Sequence, residues 1–271
     1  MAAEAPFSAP IVKNYKSVGG RASYNYIIMP YRKEQFINGD IYHITTRAID
    51  NNLIFKDIND YYRGIFSIYE FNNVNSTEIW RRRRERIAEK KKSKALEDGS
   101  PTLFQVDKRE KLVEILAFCF MPNHIHLLLK QIKDNGIVGF MRKVGTGYAS
   151  YFNKKYERKG YVFQNRFKDI RIKDDNQLKT IFTYIHTNPL SLIEPGWKKA
   201  GIKDFDMANK FLEEYKWHSY LDFIGIKNFP SVTEREFLLE AMGGVDCCRE
   251  AIKDWVKYKK EIKQSPDILL N

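Results

Sequence analysis

No run of about 18 apolar residues occurs in this chain, so no membrane span is expected. Cysteine is scarce: there are three, Cys119, Cys247 and Cys248. The first lies in an apolar stretch, and the other two are neighbours, poorly placed to bridge each other. A disulfide scaffold is therefore excluded, and a reducing cytoplasm is the expected setting. The absence of a C-x-x-C pair removes the usual structural zinc motif. No Gly-rich loop of the Walker type is present, and no nucleotide cofactor is expected. The opening "MAAEAPFSAPIVKNYKSVGG" lacks the continuous apolar core of a secretory signal.

What the chain does have is positive charge and enough apolar residues for a core. Its 271 residues are 43% hydrophobic and 14% aromatic, and its formal net charge is +12. Much of that charge is local. The run "RRRRERIAEKKKSK", residues 81–94, holds nine Lys or Arg against two Glu, a net of +7. Such a run reads as a solvated helix or loop, and it also suits contact with a phosphate backbone. Nucleic acid is the expected partner, with an acidic membrane surface second. Arg81, Arg82, Arg83 and Arg84 are the first candidate DNA contacts; Arg47, Lys143, Arg166 and Lys168 are the others.

The pattern along the chain predicts a mixed fold. Residues 1–32 read as a tail. "DIYHITTRAI" reads as a strand rich in β-branched residues. A helix follows, capped by Asp57 or Asn59. A basic insertion spans about 76–108. "KLVEILAFCFMP" and "NHIHLLLK" form one long strand or two joined at Pro122, where a proline forces a break or bulge. The next segment predicts a helix with apolar spacing at Val138, Met141, Val144 and Tyr148. "YVFQNRFKDIRI" is a short strand or hairpin. "DDNQLKTIFTYIHTNP" is a helix entered through an aspartate and stopped by Pro189. Two late helices, separated by "GGVDCC", close the chain. This order suits an α+β sheet with helices packed on one face.

Two features carry chemistry. In "NHIHLLLK", His124 and His126 are two apart in a strand, so they share a face while Ile125 points into the core. Two neutral imidazoles side by side are natural ligands for one metal ion. In "TYIHTNP", Tyr184 and Asn188 are four apart on a helix and lie on one face, one turn apart. A tyrosine hydroxyl can be a nucleophile when assisted, and the amide could supply an oxygen ligand. His186 points elsewhere and reads as structural.

Together, "YHITTRAIDNNLIFKD", "FMPNHIHLLL", "FQNRFK", "YIHTNPL" and "YKWHSYLDFIG" resemble, in this order, the IS200/IS605-like transposases of the single-tyrosine HUH type, nearest to the REP-associated tyrosine transposases. The resemblance runs from about residue 36 to 226. "GGVDCCREAIKDWV" is similar to that group's C-terminal helical extension. It implies a ferredoxin-like antiparallel sheet within a domain at 33–226, followed by a helical extension at 227–271. It also implies cleavage of single-stranded or hairpin DNA and strand transfer through a 5′-phosphotyrosine. Tyr184 would be the nucleophile, with Mg²⁺ or Mn²⁺ held by His124, His126 and Asn188. Family members occur as monomers and as homodimers sharing sites. Some members place the tyrosine soon after the "RF" pair; here those positions are Lys168, Asp169, Ile170 and Arg171. Tyr161 is the reserve candidate.

Three other readings compete. One is a non-cutting DNA-binding protein on the same fold. Another is a two-histidine phosphoesterase, for which "HIT" at 43–45 supplies one H-x-T element but His126 is followed by two leucines. The third is an RNA-binding module using "YASYFNKKYERKGYVF".

Overall fold

In a computed structural model of the chain, the described residues are 17–18, 21–22, 35–95, 107, 109–164 and 166–258. Most of the expected tail, the later part of the basic insertion and residues 259–271 lie outside them. The chain divides into two units, Met1–Gln35 and Phe36–Asn271. In the first, β1 (Ser17–Val18) pairs antiparallel with β2 (Arg21–Ala22).

The second unit starts with β3 (Ile41–Arg47), the strand expected from its β-branched residues. Helix α1 (Ile58–Glu70) follows. Of the two caps expected, Asp57 is the one used. Its carboxylate accepts from the Asn59 and Asp60 amides, and the Asp60 carboxylate accepts in return from the Asp57 amide. The helix can press onto the sheet because residue 64 is glycine: a Cβ there would lie 2.5 Å from the Phe120 ring. The basic run forms α2 (Ile79–Ala95), which packs on α1.

Strands β4 (Val113–Met121) and β5 (His124–Gln131) form a hairpin whose two-residue turn is Pro122-Asn123. The proline therefore sits where no ladder donor is needed. A bulge at Leu116 shifts the alternation, so Val113 and Ile115 share a face with Phe118 and Phe120. Helix α3 (Gly136–Lys155) buries Ile137, Phe140, Met141, Val144, Tyr148 and Phe152. Val138, expected inside, is 43% exposed, because the buried stripe starts one residue earlier, at Ile137. Strand β6 (Lys168–Arg171) completes the sheet in the order β4-β5-β3-β6, antiparallel throughout. With α1 and α3 on one face, this β-α-β-β-α-β arrangement is the expected ferredoxin-like α+β fold.

The other face carries a second layer. Helix α4 (Asp175–Thr187) is capped by Asp174 and passes into a 3-10 turn at Asn188–Leu192 containing Pro189. Short helices α5 (Trp197–Ala200), α6 (Phe205–Glu214) and α7 (Tyr220–Phe223) follow; the sequence pattern had not marked them. Helices α8 (Arg235–Met242) and α9 (Val245–Tyr258) pack with α4 over β4. The break between these two is only Gly243-Gly244, at φ +89° and +100°, and Cys247 and Cys248 belong to α9. The Phe120 amide donates to the Trp217 carbonyl at 2.8 Å and the Ser219 amide to the Phe118 carbonyl at 3.0 Å, so the outer edge of β4 is paired. No described helix is long and apolar enough to cross a membrane.

Candidate active site

Strand register builds one wall of the site. Across the four strands, Cys119, His126, Thr45 and Lys168 stand in one row. Met121, His124 and Arg47 form the next row, and His43 stands opposite Leu128. Side chains alternate along strands, so all these residues project from the face away from α1 and α3. Helix α4 supplies the opposing wall. The Tyr184 ring stands 5.6 Å from the His126 ring at 90° and 5.8 Å from the His43 ring at 78°. His124, His126 and Tyr184 are thus brought together within one chain, with Asn188 bonded to the Tyr184 carbonyl one turn on.

The hydrogen bonds orient the imidazoles. His124 Nδ1 lies 2.6 Å from Asn123 Oδ1. An amide oxygen only accepts, so Nδ1 carries the hydrogen and Nε2 keeps its lone pair. His126 Nδ1 lies 2.9 Å from His43 Nε2 and 3.2 Å from Thr45 Oγ1. His126 Nε2 is buried and has no hydrogen-bond partner among the described residues. A second nitrogen held by the protein and a first left with a lone pair is the arrangement of a metal-binding histidine; His124 has it, and His126 has it in the tautomer whose Nδ1 donates to His43 Nε2 or Thr45 Oγ1.

Electrostatics keep these rings neutral, as a ligand must be. Burial lowers the His43 pKa to about 4, with Lys198 adding to the effect. Burial lowers His124 to about 3, helped by the charges of Arg47 and Lys198. His126 is pushed well below the usual histidine range by burial, then by the neighbouring imidazoles and cations. Burial raises the Tyr184 pKa, against the pull of the Asn188 side chain and the Arg47 guanidinium.

The residues present fit a divalent cation at the histidine pair, because His126 keeps a buried imidazole nitrogen, Nε2, without a hydrogen-bond partner among the described residues. Among the described residues no three His, Cys, Asp or Glu gather around one point. The further ligands at this place would be amide or substrate oxygens. Asn188 is already engaged at both ends: its Nδ2 donates to the Tyr184 carbonyl at 2.9 Å, and its Oδ1 accepts from Lys198 Nζ at 2.9 Å.

The other expected residues fall elsewhere or at the rim. Lys168 and Arg166 are exposed, Lys168 in the row of His126. Arg47 faces the site, its Nε buried with no hydrogen-bond partner among the described residues. Lys143 donates to the carbonyls of Val74 and Asn75, both at 2.9 Å. Arg81, Arg82, Arg83 and Arg84 ride on α2 beside α1, on the side of the sheet away from the histidines. Tyr161 is 81% exposed and lines a cleft on the α3 side with Thr46 and Arg142. His186 is buried against Ser219 Oγ at 2.8 Å. Two residues of the site lie outside the motifs that point to it. His43 had a signal, the alternation of "HIT", which repeats that of "HIH"; Lys198 in "GWKKAG" had none.

Comparison with known proteins covers the same region. Residues 72–188 match the family model described as "Transposase IS200 like". That span includes β4, β5, α3, β6, α4 and Asn188, and begins after β3. A protein from Haemophilus influenzae described as a REP-associated tyrosine transposase is 33% identical over 89 residues, 28% of this chain. The chain spans about half of that relative, 49% of its length. A solved REP-associated tyrosine transposase bound to a REP hairpin aligns over 77% of this chain and 96% of its own, at 15% identity and a TM-score of 0.42. The resemblance to the IS200-like transposases is thus shown, and residues 72–188 carry it.

Proposed function

We propose that this chain cuts single-stranded DNA at or beside a hairpin and rejoins it, holding the strand through a 5′-phosphotyrosine on Tyr184. The observation that carries the reading is the Tyr184 ring standing 5.6 Å from His126, whose Nε2 is buried and without a partner. The IS200-like match over residues 72–188 supports the same reaction class. The Tyr184 oxygen attacks phosphorus; the P–O bond to Tyr184 forms and the bond to the 3′ oxygen breaks. The phenol loses one proton and the departing 3′ oxygen gains one. Attack by a new 3′-OH reverses these bonds, so no nucleotide triphosphate is consumed.

His124 and His126, with oxygens from Asn188 or the substrate, would hold Mg²⁺ or Mn²⁺. Such a cation, when bound, neutralises charge on the phosphate oxygens. The chain's own groups do the rest. Asn123 orients His124, and His43 and Thr45 orient His126. Arg47 offers a guanidinium to a phosphate, and Lys168 and Arg166 extend positive charge along the exposed sheet edge. The nucleophile and the histidines come from one chain, which favours a monomer complete in itself over a homodimer sharing sites. A cytoplasmic setting fits the three free cysteines.

The test is incubation with end-labelled hairpin DNA and Mn²⁺. A covalent protein–DNA band is expected in wild type and not in His124→Ala or His126→Ala, while single-strand binding by those variants stays within a few-fold. Absence of any adduct in wild type with Mn²⁺ or Mg²⁺ turns the reading to a non-cutting DNA-binding protein.

A further inference from the structure

We propose that Lys198 is a further residue of this site: its ammonium holds Asn188 Oδ1 until a divalent cation claims that oxygen, and then serves the scissile phosphate beside Tyr184. The inference rests on the cleavage reading above and concerns a residue outside its motifs.

Lys198 Nζ lies 4.5 Å from the Tyr184 ring centroid and 2.9 Å from Asn188 Oδ1. One ammonium therefore touches both the candidate nucleophile and the candidate oxygen ligand. Tyr184 and Asn188 are 5% and 3% exposed and Lys198 is half-buried, so the Asn188 side of this contact is shielded from water. In such a place two cations on one carbonyl oxygen repel strongly. A metal ion bound through Asn188 and the Lys198 contact are thus competing occupants of the same lone pairs.

A lysine suits that exchange. Its charge sits on a flexible four-carbon stem, so the ammonium can leave Asn188 without moving the backbone. Its base is the short helix α5, entered through Gly196 at φ +87°. Released from Asn188, the ammonium remains over the Tyr184 ring, where negative charge develops as the phenol loses its proton and the phosphorus gains a fifth oxygen. A fixed cation at that point stabilises the transition state more than the ground state. The alternative is that Lys198 only ties α5 to α4. That role would change folding stability and leave metal affinity and the rate of adduct formation alone.

The experiment uses the full chain and two variants. Lys198→Met removes the charge and the contact; Lys198→Gln keeps a donor of similar reach without charge. Mn²⁺ binding is read without DNA, from the electron paramagnetic resonance of free Mn²⁺. Adduct formation with a hairpin oligonucleotide is then timed at saturating Mn²⁺. The expected result is Mn²⁺ binding about tenfold tighter in both variants, with adduct formation slower by about 100-fold. Lys198→Arg should retain most of the rate. Unchanged Mn²⁺ affinity in a folded variant overturns the competition, and an unchanged rate overturns the role at the phosphate. If Lys198→Met does not fold, Lys198→Gln decides by the same two readouts. If wild type forms no adduct, the cleavage reading falls and takes the role at the phosphate with it, while the Mn²⁺ measurement still decides the competition.

Discussion

His43 Nε2 lies 2.9 Å from His126 Nδ1, and the two rings stack 13° from parallel, although 83 residues separate them in the chain. The contact comes from the β3–β5 register, and it leaves His126 Nε2 without a hydrogen-bond partner among the described residues. Replacing His43 by Phe keeps ring volume and removes the nitrogen. Mn²⁺ affinity should fall by about 10- to 100-fold, as when other partners of metal-binding histidines are lost. Calorimetric titration with Mn²⁺ checks it; an unchanged affinity would make His43 a packing residue.

Tyr184→Phe removes one oxygen and little volume. The phosphotyrosine band should vanish, while stability changes by about 1 kcal/mol or less. Tyr161→Phe, at an exposed position on the α3 side, should leave the band intact. Denaturing gels and urea unfolding curves read the two effects separately. A band that persists in the Tyr184 variant and disappears in the Tyr161 variant reverses the assignment.

The four arginines at the start of α2 are not equivalent. Arg82 pairs with Glu70 at 3.3 Å, and the Glu70 side chain is only 1% exposed. Arg82→Ser should therefore destabilise the fold by about 1–3 kcal/mol, by removing the ion pair that Arg82 makes with a buried carboxylate. Replacing Arg81, Arg83 and Arg84 together by Ser spares that pair. If those three contact phosphates, the slope of log K against log salt should flatten by roughly 2 units, at about 0.7 per phosphate. An unchanged slope would mean that α2, on the side of the sheet away from the histidines, does not meet the DNA.

His218 should make the fold acid-sensitive. It is fully buried, donates from Nε2 to the Leu212 carbonyl 3.0 Å away, and is surrounded by the rings of His186, Tyr215 and Tyr220. Burial lowers its pKa to about 4. The unfolded chain then takes up this proton first, so stability is full above about pH 6.5 and falls as the pH drops toward about 4. Between pH 7 and pH 5 His218 alone should cost about 2 kcal/mol. The pH dependence of guanidinium midpoints, compared between wild type and His218→Gln, measures that share. Parallel curves for the two proteins would refute it.

The local parts of the site were legible in the sequence. A period of two puts His124 and His126 on one face, and a spacing of four puts Asn188 one turn from Tyr184. Asp57 and Asp174 announced the starts of α1 and α4, and Pro122 announced the break between β4 and β5. These follow from backbone geometry within a few residues, which the order of side chains specifies directly. Tertiary structure alone decided what those faces meet. His43 reaches His126 because β3 lies beside β5 in a register set by the apolar face packed on α1 and α3. Lys198 reaches Asn188 because α5 packs against the 3-10 turn Asn188–Leu192, driven by burial of Trp197, which is 1% exposed. The basic helix, the loudest signal in the composition, docks on α1 through Ile79, which is 4% exposed, and so lies on the side of the sheet opposite the histidines. Charge along a sequence has no direction until packing of the apolar residues beside it chooses one.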